Sequence, residues 1–519
     1  MFPRLFMAIP IAAALVALTS CSDDSSASAN SIDPAQVTAA VAQLDGVIAD
    51  VMARSGIPGL AVAVVHQGKT VYAKGFGVRK LGEPDTVDTD TVFQLASLSK
   101  PVGSTVVAAE VGKGLVSWDT LVVKYLPWFA LQNPSSTARV TVGDFYAHRS
   151  GLPDHAGDDL EDLGYDRRQV LERLRYLPVE PLGSHYAYTN FGLTAGAQAV
   201  AVAAGTDWES LSDQAIYGPL GMSSTSSRYA DFMARSNRAS AHVRVNGAFQ
   251  PGPQRQPDPQ SPAGGVSSSV RDMANWMIMV LHDGQYQGRQ IVPEAALRPA
   301  LSPQMLTMPP AAKGDPTGYY GYGFNISMPA TASSGYVQYS HSGAFLMGAG
   351  TSFALLPAAD TGIIALTNAL PVGAAEAITN TYMDLVKYGR TTRDWFEFFE
   401  PKFAAMTAPT GEYAGKPLPD NPEPALPSYA YIGTYANDYY GDARIQQQGD
   451  QLALVMGPAG STFPLQHWSG NIFFFEPDSE MAAPGSRSAV TFTPGQGGIA
   501  QSVTIEMYDE NGLGTLTRR

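Results

Sequence analysis

Pro401, Pro409, Pro417, Pro419, Pro422, Pro424 and Pro427 crowd one short stretch of the chain. Proline lacks the N–H that a helix interior or a central strand needs, and it fixes φ. Residues 401–427 therefore cannot be regular structure throughout; they read as a semi-rigid linker or an extended wrap. The 519-residue chain divides there. Before the prolines, helical and strand-like patterns alternate. After them, residues 428–519 hold only short strand-like runs between Gly, Asn, Asp and Pro turns, the texture of a small all-β barrel or sandwich. The linker composition predicts that this module is separable from a larger domain at 33–400.

The N-terminus carries a different signal. Arg4 precedes the apolar run Met7 to Leu18. A bilayer span needs about 20 apolar residues, so the run is too short to cross one and reads as a signal peptide over 1–20. It ends in Leu18-Thr19-Ser20-Cys21, which resembles a bacterial lipobox. That resemblance makes Cys21 the lipidation site, residues 21–32 a flexible tether, and the cell envelope the expected location, with the protein facing the periplasm or the exterior. Cys21 is the single cysteine, so no intrachain disulfide forms. The formal net charge is −14 and no basic cluster interrupts it, which argues against a nucleic-acid partner.

In chain order, Asp33-Pro34 is a helix cap followed by proline at the first helical position, and Val37, Val41, Leu44, Ile48 and Val51 recur at helical spacing. Leu60 to Val65 and Thr70 to Phe76 read as a hairpin. Ser269-Val270-Arg271-Asp272 opens an amphipathic helix carrying Met273, Trp276, Met277, Val280 and Leu281. Tyr336 to Ser340, Thr351 to Leu356 and Gly362 to Thr367 read as strands, the last two antiparallel. A final helix spans about Ala374 to Tyr388.

Three short motifs could carry chemistry. Ser97-Leu98-Ser99-Lys100 is the only S-x-x-K in the chain. If a helix begins near Ser97, its hydroxyl lies one turn from the Lys100 amine and near the positive end of the helix dipole. A desolvated, neutral lysine can take the serine proton. Tyr188-Thr189-Asn190 and His341-Ser342-Gly343 follow, the latter expected at a strand end. Tyr435-Ala436-Asn437 and His282-Asp283-Gly284 fit the same short patterns, so order and context separate the sets. His148 reads as a structural loop residue.

In this order, and with His148-Arg149-Ser150-Gly151-Leu152 and Pro262-Ala263-Gly264-Gly265-Val266 between, the motifs resemble the serine β-lactamase and penicillin-binding protein superfamily, on its class C, D-aminopeptidase and carboxylesterase side. The resemblance covers about residues 34–390. It implies an α/β (α+β) fold with a mostly antiparallel sheet flanked by helices and a helical subdomain. It implies Ser97 as nucleophile, Lys100 as general base, and Tyr188 as proton relay, its pKa lowered by the lysine. Asn190 would orient Lys100 and the substrate. Ser342 and Gly343 would line the substrate strand, with Gly343 letting substrate lie close. The backbone N–H groups of Ser97 and Ala344 would hold the oxyanion. No metal and no organic cofactor is implied.

His341 departs from the pattern, because β-lactamases usually carry lysine there. Histidine is largely neutral at pH 7, so carboxylate-bearing β-lactams fit less well than other esters or amides. The sequence thus predicts a serine hydrolase acting on a small-molecule or peptide ester or amide, of carboxylesterase or D-amino-acid peptidase type. The alternatives are a class C-like β-lactamase or D-Ala-D-Ala carboxypeptidase, and a lipoprotein binding module with a decayed site.

Overall fold

The computed structural model describes residues 32–331 and 335–519. Cys21 and the leader lie outside the described residues. Helix α1 (Pro34–Ser55) starts where its cap predicts: the Asp33 carboxylate accepts from the Ala35 N–H at 2.9 Å. It ends at Gly56, whose φ of 69° closes the last turn. Strands β1 (Gly59–His66) and β2 (Lys69–Gly77) form the expected hairpin. Then come α2 (Ser99–Gly112), α3 (Val142–Tyr146), α4 (Asp158–Asp162), α5 (Asn190–Ala203) and α6 (Val270–Leu281). Five strands follow them: β3 (Met305–Met308), β4 (Thr317–Tyr320), β5 (Asn325–Met328), β6 (Gln338–Phe345) and β7 (Ala349–Leu356). Strand β8 (Thr361–Thr367) and helices α7 (Ala374–Tyr388) and α8 (Trp395–Met406) complete this part.

The eight strands make one antiparallel sheet in the order β2-β1-β8-β7-β6-β5-β4-β3. Its central strands are buried on both faces, which explains their unbroken apolar runs. Leu60, Val62 and Val64 face a core built with Val37, Leu44 and Ile48 of α1 and Ile378 and Tyr382 of α7. Ala61, Ala63 and Val65 face the other core, with Trp276 and Met277 of α6 and Val102 and Val106 of α2. Each fully buried aliphatic side chain contributes roughly 1.5–3 kcal/mol. Helices therefore sandwich the sheet, and the segment between α2 and α6 builds the helical subdomain.

One strand reading changes. The His341-Ser342-Gly343 motif lies inside β6, which continues to Phe345. Strand β5 meets β6 only at Gln338, Tyr339 and Ser340. Among the described residues, His341 to Phe345 therefore has a strand neighbour on the β7 side alone.

The C-terminal part is a closed barrel of β9 (Gly433–Asn437), β10 (Gly441–Gln448), β11 (Gln451–Met456), β12 (Ser461–Ser469), β13 (Ile472–Phe475), β14 (Ser488–Pro494), β15 (Ala500–Ile505) and β16 (Thr515–Arg518). Strands β12 and β16 escape the sequence pattern. Pro464 interrupts the first, and the second buries only Leu516. The proline-rich stretch is not a free linker. Pro401 lies within α8, and beyond it the chain follows the barrel wall, where Tyr413 stacks on Trp468 and Gly470 N–H donates to Glu423 O.

Nor does the barrel stand apart. The Tyr165 hydroxyl donates to Tyr440 O at 2.7 Å, and the Tyr439 and Tyr440 hydroxyls both donate to the Asp159 carboxylate. Leu163 and Tyr165 share one apolar core with Tyr435, Leu454 and Phe492. Removing the barrel would strip the cover from these groups, which argues against the separability suggested by composition.

Candidate active site

The turn before α2 carries Ser97. Phe93 and Gln94 pair with Ser267 and Ser268, and the Leu95 N–H donates to Val266 O at 2.8 Å. Ala96 then takes a φ of +48°, a left-handed conformation costly for a residue with a Cβ. Three clamps hold it. The Ser99 hydroxyl donates to Ala96 O at 2.7 Å and accepts from Val266 N–H at 2.9 Å, while the Thr351 hydroxyl donates to Leu95 O at 2.8 Å. A single 3₁₀ turn, Ala96–Leu98, leads into α2 and puts Ser97 at the start of the helical run.

Lys100 lies one turn on and is fully buried. Its Nζ donates to Ser97 Oγ at 3.2 Å, Asn190 Oδ1 at 2.6 Å and Ala263 O at 3.1 Å. Burial lowers its pKa to about 7, against the opposing pull of the Asp158 carboxylate. Lys100 can therefore lose its proton near neutral pH. The Tyr188 hydroxyl donates to the same Ser97 Oγ at 2.8 Å. The expectation of a lowered Tyr188 pKa is reversed. Burial pushes this phenol above its ordinary value and outweighs the Ser97 hydrogen bond. Lys100 Nζ lies over the Tyr188 ring, 4.5 Å from its centroid. Tyr188 is thus a neutral hydroxyl that can donate.

Neighbouring loops fix this tyrosine. Its N–H donates to Asp154 Oδ1 at 2.5 Å, and its carbonyl accepts from His155 N–H at 2.8 Å. His148 flanks it in the structural role expected. The His148 carbonyl accepts from Ala187 N–H at 2.9 Å and its Nδ1 accepts from Thr189 N–H at 3.1 Å. An accepting Nδ1 means a neutral ring, in keeping with burial and the Lys100 charge, which hold its pKa well below the usual imidazole value.

Asn190 opens α5. Its Nδ2 donates to Asp158 Oδ2 at 2.7 Å, which turns its Oδ1 toward Lys100. Asp154, His155 and Asp158 were not singled out in the sequence, and neither were Ser99 and Thr351. The flagged segment His148 to Leu152 stops just short of the first three, and nothing in their spacing marks them.

His341 is buried on β6, its ring centroid 6.4 Å from that of Tyr188. Nδ1 pairs with Ser342 O at 2.7 Å, so it carries the proton, and Nε2 accepts from the Tyr320 hydroxyl at 2.8 Å. Burial and the Lys100 charge depress its pKa to about 3. Both ring nitrogens are engaged, and the ring is uncharged. Ser342 is exposed, and Ala344 follows Gly343 along the strand. Gly343 also has a packing role within the chain itself. A Cβ there would stand 2.5 Å from Leu95 O and 3.0 Å from Ser97 N. The missing side chain lets β6 meet the serine turn itself.

A cavity of about 370 Å³ lies behind this site, between Asp154, His155 and Asp159 and the barrel residues Tyr439, Tyr440 and Tyr508. Among the described residues, no group of three or more His, Cys, Asp or Glu side chains is arranged to hold a metal ion. The arrangement can deprotonate a serine, donate a proton beside it, and present strand and turn amides to a developing negative charge.

A family model described as Beta-lactamase matches residues 44–387. The chain belongs to the beta-lactamase family. Relatives in this family are serine hydrolases of amide and ester bonds. A second family model, described as a domain of unknown function (DUF3471), matches residues 419–514, over the barrel. Among similar proteins, unguisins hydrolase ungD of Aspergillus violaceofuscus is 26% identical over 493 residues, covering 86% of this chain and 85% of the relative. The D-alanyl-D-alanine-carboxypeptidase/endopeptidase AmpH of Escherichia coli is 28% identical over 243 residues, covering 45% of this chain and 60% of that protein. The octameric penicillin-binding protein homologue from Pyrococcus abyssi superposes with a TM-score of 0.58 at 20% identity. That match covers 92% of this beta-lactamase-family chain and all of the neighbour, and so supports the shared fold.

Proposed function

We propose that the protein hydrolyses an ester or amide through an acyl-enzyme on Ser97, with a substrate that bears no carboxylate beside the scissile bond. The carrying observation is the convergence of the Lys100 amine and the Tyr188 hydroxyl on one oxygen, Ser97 Oγ, at 3.2 and 2.8 Å. Lys100, neutral in part at pH 7, takes the Ser97 proton as Oγ attacks the carbonyl carbon. The tetrahedral oxyanion rests on the N–H groups of Ser97 and Ala344. Tyr188 passes a proton to the leaving group and is reprotonated at the expense of the Lys100 ammonium. Water then attacks the acyl-enzyme under the same base, releasing the acid and free Ser97.

The uncharged His341 gives the selectivity. With both nitrogens engaged, it offers a substrate carboxylate no cation. That favours the carboxylesterase or D-amino-acid peptidase reading over β-lactam or D-Ala-D-Ala carboxypeptidase activity. A fluorophosphonate probe should label the protein once per chain, and Ser97→Ala should abolish labelling. Rates on a short-chain aryl ester, a D-alanyl anilide, a chromogenic cephalosporin and a D-Ala-D-Ala peptide should fall in that sense, the first two ahead. Faster turnover of the cephalosporin or the D-Ala-D-Ala peptide would overturn the selectivity.

The lipobox-like ending at Cys21 supports placement in the bacterial envelope as a lipid-anchored protein. Cys21→Ala should leave the protein unlipidated. Recovery of that variant as a processed membrane lipoprotein would refute the anchor.

A further inference from the structure

One barrel side chain reaches the catalytic sheet. Between β13 and β14 the chain leaves the barrel as a loop whose tip is closed by the bridge between Ser479 and Ala482. Glu480, at that tip, holds two backbone amides of the other domain. Its Oε1 accepts from Leu346 N–H at 2.7 Å and its Oε2 from Met347 N–H at 3.0 Å. Leu346 and Met347 belong to the turn from β6 to β7, closed by Gly348 N–H donating to Phe345 O at 2.9 Å. Ala344 lies two residues before Leu346, and Gly343 before it abuts the Ser97 turn.

The loop is itself braced on the helical subdomain. Met481 N–H donates to Asp162 Oδ2 at 3.2 Å. The buried Arg255 guanidinium pairs with Glu161 at 2.6 Å and Asp162 at 3.5 Å, and lies over the Phe345 ring, 5.3 Å from its centroid. The loop that carries Glu480 is therefore tied to a buried, ion-paired support. Two hydrogen bonds accepted by one carboxyl group fix both position and tilt of the turn they grip, since each restrains a different amide. Strand β6 past Ser340 has no second strand neighbour among the described residues, so the turn is where its outer end is set.

We propose that Glu480 is a positioning residue for catalysis: through its grip on Leu346 and Met347, the barrel sets the Ala344 amide against the Ser97 turn. This rests on the assignment of Ser97 and Ala344 to the acyl-transfer site above. Oxyanion stabilisation acts in the transition state, so a displaced amide lowers kcat while leaving ground-state binding of a small ester largely unchanged.

The test uses the full-length chain, an aryl ester and a phenylboronic acid, which forms a tetrahedral adduct on the reactive serine. Glu480→Gln should keep its fold by circular dichroism and still label with fluorophosphonate. Its kcat should fall on the order of 10- to 100-fold, the cost of a small misplacement of a catalytic group, with KM within about threefold. Its affinity for the boronic acid should fall by the same factor as kcat/KM. A folded variant with kcat within twofold of wild type, or a rise confined to KM, overturns the proposal. If the glutamine variant does not fold, Glu480→Asp, one methylene shorter, carries the same comparison. Ser97→Ala serves as the control. Labelling that survives in it refutes the site assignment itself, a failure distinct from that of Glu480.

Discussion

Lys100 donates to Asn190 Oδ1 over 2.6 Å, closer than its 3.2 Å bond to Ser97 Oγ. The amide cannot be turned the other way, because its Nδ2 is committed to Asp158 at 2.7 Å. Asn190 thus aligns the amine, and Asp158 does two things: it orients the amide and raises the Lys100 pKa. The acting base is neutral Lys100, so kcat/KM should rise with pH through about 7 and level off above it.

Asp158→Asn tests this coupling. Removing the carboxylate removes the influence that raises the lysine pKa, so the acid limb of the kcat/KM profile should move to lower pH, by roughly 0.5–1 unit. A limb that moves upward, or stays in place, would show that Asp158 does not act on the base.

Tyr188→Phe keeps the ring that packs against His148 but loses the donor to Ser97 Oγ. General acid–base groups contribute about 10²–10⁴-fold, and a loss of that order is expected with an unchanged melting temperature. Stopped-flow kinetics should place the loss in formation or breakdown of the acyl-enzyme. Near-wild-type turnover by the folded variant would remove Tyr188 from the reaction.

Gly343→Ala would press a methyl group onto Leu95 O and Ser97 N, both backbone atoms that cannot swing aside. Overpacking of this kind costs about 1–3 kcal/mol, and a turn displaced by a fraction of an ångström should lower kcat on the order of 10²-fold. Thermal melting and ester kinetics measure the two effects. Wild-type values for both would mean that β6 can retreat without consequence.

His341→Lys puts a cation where the protein has a neutral ring. A hydrogen bond to a charged group is worth about 1.5–3 kcal/mol, so the ratio of kcat/KM for a cephalosporin over that for a neutral ester should rise roughly ten- to a hundredfold. An unchanged ratio would mean that selectivity is set elsewhere.

What could be read from the chain follows a physical line. Local rules located α1 from Asp33, Pro34 and the spacing of Val37 to Val51, and found the hairpin of β1 and β2. Spacing within one helical turn tied Ser97 to Lys100. Groups that act across the fold were invisible. Asp158 meets Asn190 from 32 residues away, Thr351 reaches Leu95 from 256, and Glu480 reaches Leu346 from 134. The Tyr188 pKa is hidden for a related reason: the neighbouring lysine can be inferred from the motifs, whereas the burial that dominates is a property of the packed fold. Strand β12 escapes the local pattern because Pro464 contradicts strand preference, yet closure of the barrel pairs Pro464 with Ala453 all the same.

Ala96 has a consequence for how this protein can be improved. Its left-handed backbone stores on the order of 1–3 kcal/mol immediately before the reactive serine, held in place by Ser99, Thr351 and Val266. Selection for heat resistance alone rewards any change that lets this turn relax, whatever happens to the serine. A library screened only by survival on heating should therefore collect robust but inactive variants around Leu95 to Ser99, and a useful screen must demand both properties at once.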